Sequence, residues 1–234
     1  MLGDQHQVDL KLDLPVREVL RLMDGVHRKP VRPAILELAN RLLGDSVPCF
    51  QARGIYSVCN VARMTDTEIE LDQGLLFRGA IMKFLGPARR VAIYVATIGQ
   101  TIEQLAGQRW LAGDTLEGYT LHAIGSAAAD AASDALVEHL WSCEAGPNEA
   151  ITPLCHPGFC GLPIEGQATL FSAIDTRPIG VTLLPSMMMR PLKSVSGLVG
   201  IGWAQDVEAH GIPCEYCQLQ DCHMHRKYVP PETN

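Results

Sequence analysis

The chain has no apolar run long enough to cross a lipid bilayer, and no basic block followed by an apolar block at its start. A membrane-spanning helix needs roughly 20 consecutive apolar residues, and a secretory signal needs both of those blocks. The sequence opens instead with the polar and acidic stretch MLGDQHQVDLKLD. These absences predict a cytoplasmic protein that does not span a membrane.

Basic residues are too few and too scattered to indicate a nucleic-acid partner. The formal net charge is -7, from 19 Lys and Arg against 26 Asp and Glu, and no long basic cluster occurs. A protein that binds phosphate backbones normally carries a basic stripe, so we expect no nucleic-acid partner.

Eight cysteines are present. Because reducing cytosol keeps thiols free, clustered cysteines favour metal ligation or redox chemistry over disulfides.

Length and composition predict a single folded unit with an appended tail. The 234 residues are 47% hydrophobic and 19% charged, which is ordinary for a globular protein with a buried core. No internal repeat and no low-complexity linker interrupts the chain. We predict an α+β domain over residues 1–205 and a cysteine-rich, metal-binding tail over residues 206–234.

Hydrophobic periodicity predicts the position of the main elements. Alternating apolar residues predict a strand over residues 8–14, and the run RVAIYVATIG predicts a buried strand over residues 90–99. A long helix rich in small residues should begin at Asp114, which can cap it, and run to about Trp141. Residues 143–165 are dense in Pro, Gly and Cys and predict an ordered functional loop. Further strands are predicted over residues 179–184 and 194–203.

Three segments carry a more specific pattern. They are VAIYVATIG with the alanine-rich helix behind it, the loop LCHPGFCGLP with its following helix QATLFSAID, and the stretch IGVTLLPSMMMRPLKSVSG. In this order, over roughly residues 50–203, they resemble the activation domain of vitamin B12-dependent methionine synthase. The third segment is the most specific, because its apolar, Met, Pro and Ser-x-Ser-Gly positions agree with the family in order and spacing.

The resemblance implies a helmet-shaped fold in which helices flank a bent antiparallel sheet. In the family, this domain binds S-adenosylmethionine and presents its methyl group to a reduced cobalamin on a neighbouring domain, which rescues cobalt from the inactive Co(II) state. The sequence shows no cobalamin, folate or homocysteine domain of its own. The resemblance therefore implies a separate corrinoid protein as partner, which carries the cobalamin.

The resemblance also implies a cofactor pocket between the loop and the long helix. Pro157 and Gly158 match the turn of the family's Arg-Pro-x-Pro-Gly-Tyr loop. Phe159 stands at the tyrosine position and keeps its aromatic face, with His156 two residues before Gly158. Asp134 falls where the family has a glutamate on the long helix, so a carboxylate is kept with a shorter reach.

One position of the family loop differs in a way that bears on the ligand. Leu154 stands where the family has an arginine, which would hold a carboxylate through paired, charge-assisted hydrogen bonds. Either another cation, Arg190 or Lys193, takes its place, or the protein no longer binds S-adenosylmethionine.

Cysteines near the end of the chain predict a metal centre. The candidate ligands in CEYCQLQDCHMH are Cys214, Cys217, Cys222 and His225, with His223 as a competitor. Four such ligands suit tetrahedral zinc. Cys155 or Cys160 of the loop could add a thiolate, and three or four thiolates suit an iron–sulfur cluster. Corrinoid reactivation needs one electron, and zinc has no redox chemistry, so the analogy favours an iron–sulfur cluster over zinc. The alternative to any metal centre is a loose tail with unligated thiols.

The leading functional prediction is an accessory or reactivation factor for a corrinoid protein. The alternatives are a binding protein without enzymatic activity, for a corrinoid, a tetrapyrrole or a protein partner, and a small electron carrier. The remaining cysteines and histidines are given no functional role. Cys49, Cys59 and Cys143 are predicted to be buried apolar residues, and His122 and His139 are predicted to be surface or packed residues rather than ligands.

Overall fold

This computed structural model, in which groups of helices and groups of strands follow one another, describes residues 4–24, 31–80, 85–159 and 161–208. Within these ranges the helices are α1 (Val16–Asp24), α2 (Pro33–Ser46), α3 (Thr101–Leu111), α4 (Thr115–Glu144), α5 (Gly166–Ala173) and α6 (Ala204–Glu208). The strands are β1 (Gln5–Asp9), β2 (Arg53–Met64), β3 (Glu68–Leu71), β4 (Leu75–Arg78), β5 (Ala88–Thr97), β6 (Glu149–Ile151), β7 (Thr182–Leu183), β8 (Met189–Arg190) and β9 (Ser194–Trp203).

The strands form a seven-stranded sheet with the order β4-β3-β2-β5-β9-β6, and β1 also pairs with β2. Every pairing in this sheet is antiparallel. β1 and β3 pair with opposite ends of β2, and the β2–β3 register shifts between Val61 and Arg63. Such a bulge bends a strand and increases its twist, which lets one long strand serve both halves of the sheet. β7 and β8 form a separate two-stranded ribbon.

β5 lies between β2 and β9, and both of its faces are buried. Ile93 and Val95 belong to one core cluster, which also contains Leu170 of α5. Tyr94 belongs to the other, with Ile124 of α4. Burial on both faces explains why the sequence of β5 is a continuous apolar run rather than an alternating one.

α4 packs closely on the sheet because small residues line its buried side. Its buried residues include Ala127, Ala128, Ala132 and Ser133. The sheet contributes a glycine of its own: a Cβ added to Gly54 of β2 would lie 2.8 Å from the Leu136 side chain. The small residues therefore allow close packing, and the helix continues to Glu144, three residues beyond the predicted end.

Two predicted strands are shorter than expected. The first ends at Asp9 instead of continuing to residue 14; Leu12 and Leu14 still pack against the α4 side of the core, so their alternation reflects burial without strand pairing. The second, predicted over residues 179–184, is reduced to Thr182–Leu183. Gly180 breaks it, because its φ of 72° ends a 3-10 turn in the left-handed region.

The predicted loop over residues 143–165 is also partly regular. It contains the end of α4 and the short strand β6, which pairs with β9. At the predicted boundary between domain and tail, α6 extends across residues 204–208, and the rest of the predicted tail lies outside the described residues. Across the ranges that are described, no helix combines the length and apolar character that a bilayer crossing requires.

Candidate functional site

The loop that carries the predicted pocket residues lies along the edge of β9. Cys155 and Leu198 form an isolated antiparallel bridge, with N–O distances of 3.0 and 2.8 Å. One residue further on, His156 Nδ1 lies 3.0 Å from the carbonyl oxygen of Ser196. Because a carbonyl oxygen only accepts, this bond requires a proton on Nδ1. The loop thus continues the sheet edge and holds the His156 ring in a defined orientation.

Pro157 and Gly158 form the turn that the sequence predicts. Gly158 has a φ of 90°, a conformation that strongly favours glycine. Its N–H donates to the carbonyl of Leu162 at 2.8 Å, so the turn is closed by its own backbone. Phe159 follows with 55% of its surface exposed, and its ring contacts the edge of His156 at a centroid distance of 6.3 Å. The turn therefore presents an aromatic face to the outside.

Tyr94 joins the loop, the long helix and β9. Its side chain is fully buried, and its hydroxyl lies 2.9 Å from Ser133 Oγ on α4. The ring crosses Gly197 of β9, where an added Cβ would lie 2.7 Å from the Tyr94 hydroxyl. It meets the edge of the His156 ring at 6.4 Å. The three pieces named by the sequence analysis thus converge on one buried tyrosine.

Asp134 follows Ser133 on α4 and is exposed at the border of this cluster. Burial is the main cause of the raised pKa of Tyr94, and the charges of Cys155, Asp134 and Asp130 raise it further. The two carboxylates therefore lie within electrostatic reach of Tyr94, whose phenol stays protonated well above physiological pH.

Tyr94 and Ser133 were missed by the sequence analysis. A signal was present, because a buried tyrosine hydroxyl normally requires a hydrogen-bond partner. Tyr94 stands inside an apolar strand and Ser133 inside an alanine-rich helix. What the sequence does not state is that these two polar groups, 39 positions apart, face each other.

A polar stripe extends from this cluster along one side of α4, from the buried Ser133 to the exposed His122. Its members repeat at three- and four-residue spacing, which places them on one face of a helix: His122, Ser126, Asp130 and Ser133. Lys193, from the segment before β9, lies against this stripe with only 6% of its surface exposed. Its Nζ lies 2.8 Å from Ser126 Oγ and 3.3 Å from His122 Nδ1.

Lys193 is a buried cation without a carboxylate at ion-pair distance among the described residues. Burial lowers its pKa to about 8, against the weaker opposing effect of Glu103 and Asp130. Burial and then the Lys193 charge lower the pKa of His122. Of the two cations considered in place of the family arginine, Lys193 is the one that reaches the stripe. Arg190 is an exposed residue of β8.

The serines of the Ser-x-Ser-Gly motif have structural partners. Ser194 Oγ lies 2.9 Å from Thr97 Oγ1 and 2.8 Å from the Pro191 carbonyl. Ser196 Oγ donates to Gln167 Oε1 at 2.7 Å, which ties β9 to the start of α5. These two hydroxyl groups thus connect β9 to the end of β5 and to the start of α5.

The metal ligands predicted from sequence fall mostly outside the described residues: Cys160, Cys214, Cys217, Cys222 and His225. Cys155 is described and is buried, with 1% of its surface exposed. No group of three His, Cys, Asp or Glu side chains that could hold a metal occurs within residues 4–24, 31–80, 85–159 and 161–208. The metal centre therefore stays a prediction.

Of the isolated cysteines, Cys59 is buried as predicted, and burial is the main cause of its pKa rising to about 11. The prediction for Cys143 is wrong: it is exposed near the end of α4. Its solvent-facing position depends on the helix phase, since neighbouring Leu140 of the same helix is fully buried.

Known proteins resemble this chain in fold. No family model and no curated protein matches the sequence. Among solved structures, the MetH reactivation domain bound to AdoHcy superposes with a TM-score of 0.62 at 18% sequence identity, covering 85% of this chain and 78% of that chain. The predicted α+β fold, with an antiparallel sheet flanked by helices, is confirmed. At this level of identity the likeness establishes the fold alone.

Proposed function

We propose that this protein is a cytoplasmic accessory or reactivation factor for a separate corrinoid protein, and that it binds S-adenosylmethionine along the α4 stripe. The observation that carries the proposal is the convergence of three pieces on Tyr94. The long helix contacts it through Ser133, the Ser-x-Ser-Gly strand through Gly197, and the loop before the Pro157–Gly158 turn through His156. The fold shared with the MetH reactivation domain, which was solved with AdoHcy, supports it.

Lys193 would replace the missing arginine as the group that receives the ligand's carboxylate. Among the described residues no carboxylate lies at ion-pair distance from this ammonium, and Glu103 and Asp130 offset only part of the cost of burying its charge. A bound carboxylate would supply the countercharge. Ser126, which contacts Lys193, lies seven residues before Ser133 on α4, or about 10 Å along the helix axis at 1.5 Å per residue. An elongated ligand with an amino-acid end and a nucleoside end suits this separation.

The aromatic end of the ligand would lie against His156 and Phe159. Those two rings meet edge to face and one of them is exposed, which is suitable for stacking on a flat base. Asp134, at the same end, would attract the positive charge of a sulfonium group.

The corrinoid partner would dock over the exposed apolar residues beside the site. Phe159, Met188 and Leu192 are 55%, 51% and 52% exposed. They belong to the loop before α5 and to the segment that leads into β9. A macrocycle with a flat apolar face could bury such side chains.

Calorimetry with S-adenosylmethionine tests the ligand proposal. We expect Lys193→Met to weaken binding by about ten- to a hundredfold, the effect of losing about 1.4 to 2.8 kcal/mol. Lys11→Met is the matched control, because Lys11 is exposed on the segment after β1. No heat at millimolar ligand, or equal affinity of the Lys193→Met protein, would overturn the assignment.

Asp134→Ala tests the other end of the site. Binding should again weaken, because the carboxylate near the sulfonium is removed. The control is Glu138→Ala, which removes an exposed carboxylate one turn further along α4. If both variants bind like the unmodified protein, the ligand does not lie against this part of the helix.

We also propose that the tail thiols hold an iron–sulfur cluster that passes an electron to the corrinoid. Cys214, Cys217 and Cys222 would be the core ligands, with His225 or Cys160 as the fourth; Cys155 is the weaker candidate, since it is buried. Metal analysis of anaerobically purified protein tests this. Iron with acid-labile sulfide would support electron transfer. Stoichiometric zinc would instead mean that the metal only stabilises the structure of the tail, because zinc has no redox chemistry.

A binding protein without methyl-donor chemistry is the second candidate, and Leu154 favours it because the arginine is absent. Such a protein would keep the fold and the corrinoid partner but not S-adenosylmethionine. Two results together would distinguish this candidate from the first. A corrinoid protein would be retained in a pull-down with this protein, and calorimetry with S-adenosylmethionine would show no heat.

A further inference from the structure

The last turns of α4 bring an exposed thiol and an imidazole together, away from the site described above. Cys143 follows His139 by four residues on the same helix. The Cys143 Sγ lies 3.7 Å from His139 Nε2 and 3.9 Å from His139 Nδ1. Residues four apart on a helix are neighbours on its surface, and the helix backbone holds the two side chains in reach of each other.

The separation of the two atoms suits a shared metal ion. Zinc binds thiolate sulfur at about 2.3 Å and imidazole nitrogen at about 2.05 Å, and a tetrahedral angle between these bonds places sulfur and nitrogen about 3.5 Å apart. The observed 3.7 Å differs from this by little. Without a metal, the same pair would be joined by a weak thiol–imidazole hydrogen bond.

The electrostatic surroundings also favour a cation. The pair lies in the final turns of a 30-residue helix that ends at Glu144, and the carboxyl end of a helix carries partial negative charge. Glu144 adds a carboxylate, which accepts from the Tyr56 hydroxyl at 3.0 Å. Arg90 offsets part of that negative charge, because its Nη2 donates to the Glu144 carbonyl at 2.8 Å and its Nη1 lies 3.9 Å from the Glu144 carboxylate.

We propose that His139 and Cys143 form a two-residue surface chelate for a thiophilic divalent metal such as zinc. Water or atoms of a partner would complete the coordination, since the described part of the chain offers no three-ligand group. On binding, the sulfur–metal bond forms as the Cys143 thiol releases its proton to solvent.

Cobalt(II) titration of the full chain tests the chelate, with the tail ligands removed by Cys214→Ser, Cys217→Ser and Cys222→Ser. A thiolate-to-cobalt charge-transfer band should grow to one equivalent. In this background, Cys143→Ser should abolish the band, and His139→Ala should weaken cobalt binding by on the order of tenfold or more. Cys49→Ser is the matched control: Cys49 is a partly exposed thiol near the Asp45 carbonyl, at 3.8 Å.

Zinc competition then shows whether the preferred ion is zinc, because zinc should displace cobalt and bleach the band. Absence of the band in the tail-substituted protein, or a band that His139→Ala leaves unchanged, would mean that the pair forms a hydrogen bond only. Circular dichroism of each variant confirms that the fold is kept.

Discussion

At the scale of single residues, Lys193 is a charged group that folding places in an unfavourable, buried environment. Only 6% of the Lys193 surface is exposed, and its ammonium contacts a serine and a histidine. Burial lowers its pKa to about 8. Perturbed ionisable groups are concentrated at functional sites because function requires such environments. Tyr94 is a second buried ionisable group. Its hydroxyl forms a hydrogen bond with Ser133, a residue that helical periodicity alone does not distinguish from its alanine neighbours.

Replacing Lys193 by Met should stabilise the protein at neutral pH. Below about pH 8 the ammonium is charged in both the folded and the unfolded chain. The folded protein is therefore destabilised by the full free energy of removing this charge from water. As the pH rises from about 8 towards 10.5, the folded state releases the proton first, and stability should increase. We expect Lys193→Met to gain about 2 kcal/mol at pH 7. Urea unfolding at pH 7 and pH 10 measures this: the advantage should shrink at the higher pH.

The contrary result would be a Lys193→Met protein that is less stable at pH 7. That outcome would mean that the hydrogen bonds to Ser126 and His122 outweigh the burial of the charge.

Tyr94→Phe should destabilise the protein by about 1 to 2 kcal/mol, because Ser133 loses its hydroxyl partner inside the core. Tyr119→Phe is the matched control. Its hydroxyl bonds to the Met23 carbonyl at 2.7 Å in an exposed setting, where water replaces the lost bond. Thermal or urea unfolding of both variants compares them, and equal stabilities would show that the buried hydroxyl pair contributes nothing.

At the scale of elements, the loop before α5 acts as an extension of the sheet. The Cys155–Leu198 bridge and the His156–Ser196 bond continue the β9 edge beyond β6. The left-handed turn at Gly158 then reverses the chain and exposes Phe159. These bonds to β9 thus position a loop that has no regular secondary structure of its own.

Gly158→Ala and Gly44→Ala should change stability in opposite directions. Gly158 has a φ of 90°, and an added Cβ would lie 3.2 Å from Ile164 Cδ1, so we expect a loss of about 1 to 2 kcal/mol. Gly44 lies within α2 with nothing within 4 Å of its Cβ position, so alanine there should gain about 0.5 to 1 kcal/mol. Urea unfolding measures both; destabilisation by Gly44→Ala would indicate that the α2 end is not helical in solution.

At the scale of the whole molecule, the sheet separates two cores and α4 closes one of them. Tyr94 and the α4 residues lie in that core, whereas Ile93, Leu170 and Cys155 lie in the other. The site forms where the loop crosses the sheet edge between the two cores. A change in how closely α4 packs on β2 should therefore be transmitted to the site.

Gly54→Ala should overpack the contact between β2 and α4, because the new methyl would lie 2.8 Å from the end of the Leu136 side chain. Overpacking of this kind costs about 1 to 3 kcal/mol, while Leu136→Ala alone opens a cavity and costs about 2 to 5 kcal/mol. The double variant should be destabilised by less than the sum of the two. Unfolding measurements on all three variants give the coupling, and strict additivity would show that the two residues do not share a contact.

Sequence by itself determined the principal elements and the fold class of this protein. The unbroken apolar run of β5 required burial on both faces, the small-residue pattern of α4 required close packing, and the Pro157–Gly158 pair required a turn. These are local properties of side chains and backbone. Only the tertiary structure decided that Tyr94 forms a hydrogen bond with Ser133 and that Lys193 contacts His122. It also decided that Cys143 is exposed to solvent next to His139. Such pairings depend on strand register and helix phase, and those are set by contacts between residues far apart in the chain.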